Sequence, residues 1–341
     1  MTTAPERPVL LPSNQPANRF YAGGSKIRAF RHEEGSTDHV PEDWVASTTT
    51  IFGEADTGLT ELPTGERLRD AILGDPVGWL GRDHHAQFGA DTKLLVKLLD
   101  AGQRLPVHIH PSHEFAQEHL GAGHGKAEAW YVVDGGTVHL GFARDVSATE
   151  LSDWVREQNV DALLGAMHLL TVCAGDSIYV PPGLPHAIGA GVFIVEVQEP
   201  EDMSILLEWK GFAIDGPRHG HLGIGAEKAL KATDRHGWSM AELETLLIHD
   251  GTGVHTLAAQ AGSYFRAEHR SVAGETVLDA GFSILVILSG EGQLTAANGS
   301  RAVLAPGLTI LTPHNIGNLT ITGELTLLRC RPPLGQVPDS I

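Results

Sequence analysis

Two histidines one residue apart, His108 and His110, carry the first chemical signal of this 341-residue chain. Side chains on a strand alternate between faces, so a His-x-His pair turns both imidazoles to one side. Two imidazoles buried side by side call for a partner, and a metal ion is the obvious one. Glu128 follows, and a second block, Gly175-x5-Pro181-x-Gly183-x2-His186, brings a third histidine. Its glycines and proline turn tight corners, so histidines from separate strands can converge. His108, His110, Glu128 and His186 then make a set of three nitrogens and one carboxylate. That set suits zinc, and less clearly iron, manganese or nickel, with open positions for substrate oxygens.

The elements that must hold these residues are short strands. Forty glycines and nineteen prolines punctuate the chain, as a fold of many strands and turns requires. Residues 92–100, TKLLVKLLD, read as a mostly apolar strand running into the histidine pair. Residues 111–127 are inserted before Glu128, and Ser112 is placed to cap a short helix, HEFAQEHL. Strands are expected over 128–133, 137–143, 175–180 and 191–197. Capping boxes at Ser147 and Ser239 predict helices after them. A helix over 66–73 should stop at Gly74. Residues 1–20 read as a poorly ordered leader, and 21–60 as short strands with Trp44 as a core anchor. From about Thr252 the pattern is all-β.

The chain repeats itself. VVDGGTVHLGF (132–142) lines up with ILSGEGQLTAA (287–297), and GDSIYVPPGLPHAIG (175–189) with GLTILTPHNIG (307–317) after a three-residue deletion. A duplicated β-rich unit predicts two similar barrels, an arrangement that leaves few exposed strand edges. The repeat is also an internal control. Gly274 aligns with Gly102, which puts Ala280 and Phe282 where His108 and His110 stand, and Ser283 near the place of Glu128. Only His314 survives, opposite His186. The second barrel is therefore expected to hold no metal and to serve a structural role.

Composition sets limits. With 42 acidic against 24 basic residues the net charge is −18, which argues against a nucleic-acid partner. No apolar run is long enough for a membrane span. No signal peptide is read at the N-terminus. Cys173 and Cys330 form neither a disulfide framework nor a thiolate zinc site. A soluble cytoplasmic protein acting on a small molecule is the expectation.

Gly102-x5-His108-x-His110 and the Gly175–His186 block match the two halves of the cupin signature, with the glutamate displaced to Glu128. More narrowly, residues 92–136 and 170–204 resemble class I mannose-6-phosphate isomerase, a zinc-dependent bicupin family. LLVKLLDA, VHIHP, HEFAQEHL, GKAEAWYVV and AGDSIYVPPGLPHAIGAG followed by EVQEPEDMS carry the likeness. The resemblance implies a mainly β bicupin, two cupin or jelly-roll barrels with a few inserted helices. The expected division is an N-terminal segment, 1–90, joining the first barrel; a metal-binding cupin, 91–210; a connector, 211–250; and a metal-free cupin, 251–341.

The resemblance further implies His110, Glu128 and His186 as ligands of Zn2+, with His108 where the family usually has glutamine. It implies Lys126 acting near the substrate and Glu196 as a carboxylate lining the site. The implied reaction is aldose–ketose isomerisation of a mannose- or fructose-type sugar, free or phosphorylated, with Glu196 as base or proton shuttle. One departure stands out. Where the family runs on to Thr-Tyr-Arg, with the arginine taken as catalytic, this chain has Ile205 and Leu206 in the last two places. Arginine is the usual bidentate partner of a phosphate. The change points to an altered substrate, to a relocated arginine with Arg218 as candidate, or to lost activity. Two rivals follow from the same residues: an Fe(II) cupin dioxygenase and a sugar-binding cupin without turnover.

Overall fold

The structure is a computed structural model that describes residues 3–35, 38–249 and 255–334. It is mainly β, a bicupin with inserted helices. Two sheets face each other around the histidines. One has six strands in the order Leu247–Ile248, Ser177–Val180, Glu128–Asp134, Phe193–Gln198, Leu95–Asp100, Glu42–Val45. The other has five, in the order Ile205–Leu206, His108–Ile109, His186–Ile188, Gly136–Phe142, Met167–Val172. A third, seven-stranded sheet is built on the long antiparallel pairs Arg266–Leu278, Leu319–Arg331 and Ser283–Ala296.

The central strands are apolar because both of their faces are covered. All of Leu95–Asp100 and Phe193–Gln198 is buried. Trp44 and Trp130 are fully buried, and each such aromatic contributes on the order of 2 kcal/mol or more. The strand expected over 92–100 begins only at Leu95, because Lys93 sits at φ 55°, outside any strand conformation.

The helix signals hold where the cap is local. Ser112 Oγ accepts from Phe115 N at 3.2 Å and starts His113–Leu120. Ser147 Oγ accepts from Glu150 N and starts Ala148–Glu157. At Ser239 both halves of the capping box form, but the helix is only Met240–Glu244; Leu247–Ile248 leaves it to pair with Ser177 and Ile178.

Two expectations for the N-terminus are corrected. The stretch expected as a loose leader is tied down: Val9–Leu11 pairs with Thr309–Leu311 in the seven-stranded sheet. The described residues of the 21–60 stretch hold one strand, Glu42–Val45, and a helix, Ser25–Arg31. That helix lacks a local cap. Asp100, far along the chain, accepts from Gly24 N at 2.8 Å and Lys26 N at 2.9 Å with the same oxygen, so nothing near Ser25 announces it. The boundary expected at 250/251 and the Thr252 onset lie outside the described residues.

Candidate functional site

The five-stranded sheet presents the histidines. His108 and His186 are direct register partners on adjacent strands, and His110 follows on the same side. Their imidazoles form a buried cluster in which one nitrogen from each lies within 4.8 Å of the others. Each ring is oriented by a backbone carbonyl: His108 Nδ1 to Pro106 O at 2.8 Å, His110 Nδ1 to Met203 O at 2.7 Å, His186 Nδ1 to Leu184 O at 2.8 Å. A carbonyl can only accept, so the proton sits on Nδ1 in all three rings. Every Nε2 is left as a lone pair. Burial pushes His110 and His186 down to about 3 and His108 well below its ordinary value. All three are neutral at pH 7, the form that binds a metal.

Glu128 comes from the opposite sheet. Its Oε2 lies 3.0 Å from His110 Nε2 and its Oε1 3.4 Å from His186 Nε2. Trp130 Nε1 donates to Oε1 at 2.9 Å. Burial alone would raise this carboxyl; the Lys126 ammonium outweighs burial and holds it well below the carboxylate range. Lys126 Nζ donates to Glu128 Oε2 at 2.7 Å and to His110 Nε2 at 2.9 Å. His186 Nε2 is buried with no hydrogen-bond partner. Three neutral imidazoles, one of them with an orphaned lone pair, fit a divalent metal, with the Glu128 carboxylate next to two of them.

The site opens into a cavity of about 780 Å³. His108, Lys126 and Glu196 line it, and so do residues the sequence reading passed over: Arg19, Glu42, Lys97 and Asp202. Register explains the grouping. Glu196 pairs with Lys97 on one side and Trp130 on the other, and Lys97 pairs with Trp44. Lys97 Nζ is buried 3.2 Å from Asp202, 3.5 Å from Glu42 and 3.8 Å from Glu196. Arg19 closes the network, 3.1 Å from Glu42 and 3.5 Å from Asp202. Burial would lower Lys97; Glu42, Asp202 and Glu196 raise it above its ordinary value instead. The one signal in the sequence was a lone lysine, two residues from Leu95 and Leu99, on the inward face of an apolar strand. Arg19 had none, because its stretch reads as a leader.

Glu196 differs from the other carboxylates. Its Oε1 has no hydrogen-bond partner, with Lys126 Nζ at 3.6 Å. Burial and the charge of Glu128 push it up to about 7 against the pull of Lys126 and Lys97. Such a group takes and returns a proton near neutral pH. Leu206 is buried, pairs directly with His108 and lines the same cavity. Arg218, exposed on the short helix Gly216–His219, lines it too. That helix is seated by a close glycine approach: a Cβ at Gly216 would fall 2.0 Å from the Trp209 ring.

No protein-family model matches the chain. It is 28% identical to mannose-6-phosphate isomerase of Streptococcus mutans over 267 residues, covering 75% of this chain and 80% of that protein. It is 27% identical to mannose-6-phosphate isomerase ManA of Bacillus subtilis over 238 residues, covering 67% and 72%. Among solved structures, a putative mannosephosphate isomerase from Archaeoglobus fulgidus superposes with a TM-score of 0.73 at 20% identity, covering 97% and 99% of the two chains. A mutant of phosphomannose isomerase from Salmonella typhimurium gives 0.74 at 15% identity, covering 96% and 100%. These structures share the fold.

Proposed function

We propose, from this chain's place as a divergent relative of the mannose-6-phosphate isomerases, that it is a metal-dependent aldose–ketose isomerase. Its substrate on this reading is a mannose- or fructose-type sugar or sugar phosphate. His108, His110, His186 and Glu128 would hold the metal, with Zn2+ the best match to three imidazoles and a carboxylate. A divalent ion so held supplies Lewis-acid polarisation of the sugar carbonyl. Glu196 Oε1 takes the proton from one of C1 and C2 and returns it to the other, passing through an enediol. Lys126 Nζ offers its charge to the oxygen that becomes negative. Lys97 keeps Glu196 in place. Arg218 takes the outer end of the substrate in the stead of the arginine that Leu206 replaces.

The observation that carries this reading is the buried, unpartnered Glu196 oxygen on the cavity that His108, one of the three clustered imidazoles, also lines. The reading includes work in the cytoplasm, where the unbridged Cys173 and Cys330 would stay reduced. No helix among the described residues is long and apolar enough to cross a membrane.

The test is NMR in D2O with the zinc-loaded protein and mannose, fructose and their 6-phosphates. Interconversion with deuterium entering at C1 or C2 is the expected result. Tight sugar binding with no interconversion of any of them would sink the isomerase reading and leave a binding protein. Oxygen uptake on turnover would point to the dioxygenase instead.

A further inference from the structure

The second barrel keeps the strand register of the first but inverts its chemistry. Glu128 opens its strand opposite Val180, and Ser283 opens its strand opposite Thr312. Ala129 pairs with Val197, and Ile284 with Cys330. Cys330 therefore stands in the place of Val197. Its neighbours Arg329 and Arg331 stand where the first barrel has Glu196 and Gln198. The carboxylate of Glu196 has thus given way to the guanidinium of Arg329.

The charge there does not balance. Arg329 and Arg331 share one carboxylate, Asp279, with Arg329 Nη1 at 2.6 Å and Arg331 Nη1 and Nη2 at 2.9 and 2.7 Å. Arg266 is the direct register partner of Arg331 on the neighbouring strand. Like charges directly opposite each other destabilise a sheet. Arg266 makes no ion pair among the described residues; its Nε goes to Pro332 O at 2.8 Å. Glu268, across from Arg329, is held by Arg270 at 2.6 Å. Three guanidiniums thus meet one carboxylate, Asp279, in a chain whose net charge is −18. Arg331 is buried, and its Nε has no hydrogen-bond partner. Burial and the neighbouring Arg331 push Arg266 down to about 10.

The cluster faces a cavity of about 1140 Å³ whose lining includes Arg266, Arg331, Arg82, His84 and His314. Asp83 is the one carboxylate among the described lining residues. Phe282, Leu80, Pro332 and Pro333 give it apolar walls. One wall is fixed by a close approach: Gly81, at φ 92°, lies so near His314 that a Cβ would fall 2.5 Å from the ring. We propose that the mouth of the second barrel binds a small organic anion, with Arg331 and Arg266 gripping its phosphate or carboxylate group and the apolar walls taking its body. The site is separate from the metal centre and stands whether or not the isomerase reading does.

Calorimetric titration of the full chain with inorganic phosphate and, separately, citrate tests it. Wild type should bind at least one of them, and the one bound names the headgroup class. Arg266→Gln and Arg331→Lys should each weaken that binding at least tenfold. Anion binding in the first barrel is common to all three proteins and cancels in the comparison. Arg266→Gln removes no ion pair, so it should fold as wild type and decides the matter if Arg331→Lys does not fold. No binding of either anion, or the same affinity in wild type and Arg266→Gln, would overturn the proposal.

Discussion

Lys97 and Glu196 stand directly opposite each other on adjacent strands, Nζ 3.8 Å from Oε1, and both line the large cavity beside the histidines. The lysine is compensated from three sides, whereas this glutamate oxygen has no hydrogen bond at all. The pair thus divides two tasks: one residue fixes charge in place and the other keeps a proton site available.

Glu196→Gln should lower kcat by about 100- to 10,000-fold, the usual range for a lost general base, while bound metal stays stoichiometric. In wild type the rate should fall as pH drops through about 7, where Glu196 takes up its proton. A glutamine variant that keeps the rate would remove Glu196 from the chemistry.

The same shift makes a stability prediction of opposite sign to the usual carboxylate. Folding raises Glu196 from 4.5 to about 7, so the folded state binds the proton more tightly than the unfolded one. Stability is then full below about pH 4 and declines as pH rises through about 7. In metal-free protein, Glu196→Gln should be more stable than wild type at pH 8, by on the order of 1 kcal/mol or more, and no more stable at pH 4. Urea melts at the two pH values measure this.

Lys97→Met should be strongly destabilising, by about 3–5 kcal/mol, because it leaves Glu42 and Asp202 buried without their shared cation. Arg19 remains to serve both, so a loss at the lower end of that range is expected. Denaturant unfolding with a change below about 1 kcal/mol would show that Arg19 alone suffices.

His110→Ala and His186→Ala should each abolish stoichiometric metal, read by elemental analysis after dialysis. Both rings are held by backbone carbonyls, so their loss should not disturb the strands that carry them. Retained metal in either variant would defeat the ligand assignment.

Arg218→Gln should raise KM for a sugar 6-phosphate about tenfold or more, the scale of a charge-assisted hydrogen bond, and leave KM for the free sugar unchanged. Equal effects on both substrates would remove Arg218 as the phosphate partner.

The metal end of the site was legible in the sequence because its determinants are local. His108-x-His110 needs only the period of a strand, and His186 comes with its own glycine and proline corners. The charged network was not legible, because it is assembled by register. Lys97 meets Glu196 and Trp44 only after three strands are aligned, and Arg19 reaches Asp202 from a segment that carries no periodic signal. The helix at Ser25 was missed for the same reason, its cap being Asp100. In the second barrel the missing histidines were legible, but the arginines that replace the carboxylate side were not, since only strand pairing shows that Arg329 and Arg331 flank the place of Val197.

The pairing of Val9–Leu11 with Thr309–Leu311 has a consequence for the order of folding. A ribosome delivers Val9 long before Leu311, and until then this apolar stretch has no partner of its own. Meanwhile Asn14 and Arg19, just beyond it, already have theirs in Asp43 and Glu42. The first barrel can therefore close around its cavity during synthesis while the edge strand of the seven-stranded sheet waits. Docking of that strand becomes a late event with a long loop to close, so a chain cut short before residue 309 would carry an exposed β edge and tend to aggregate.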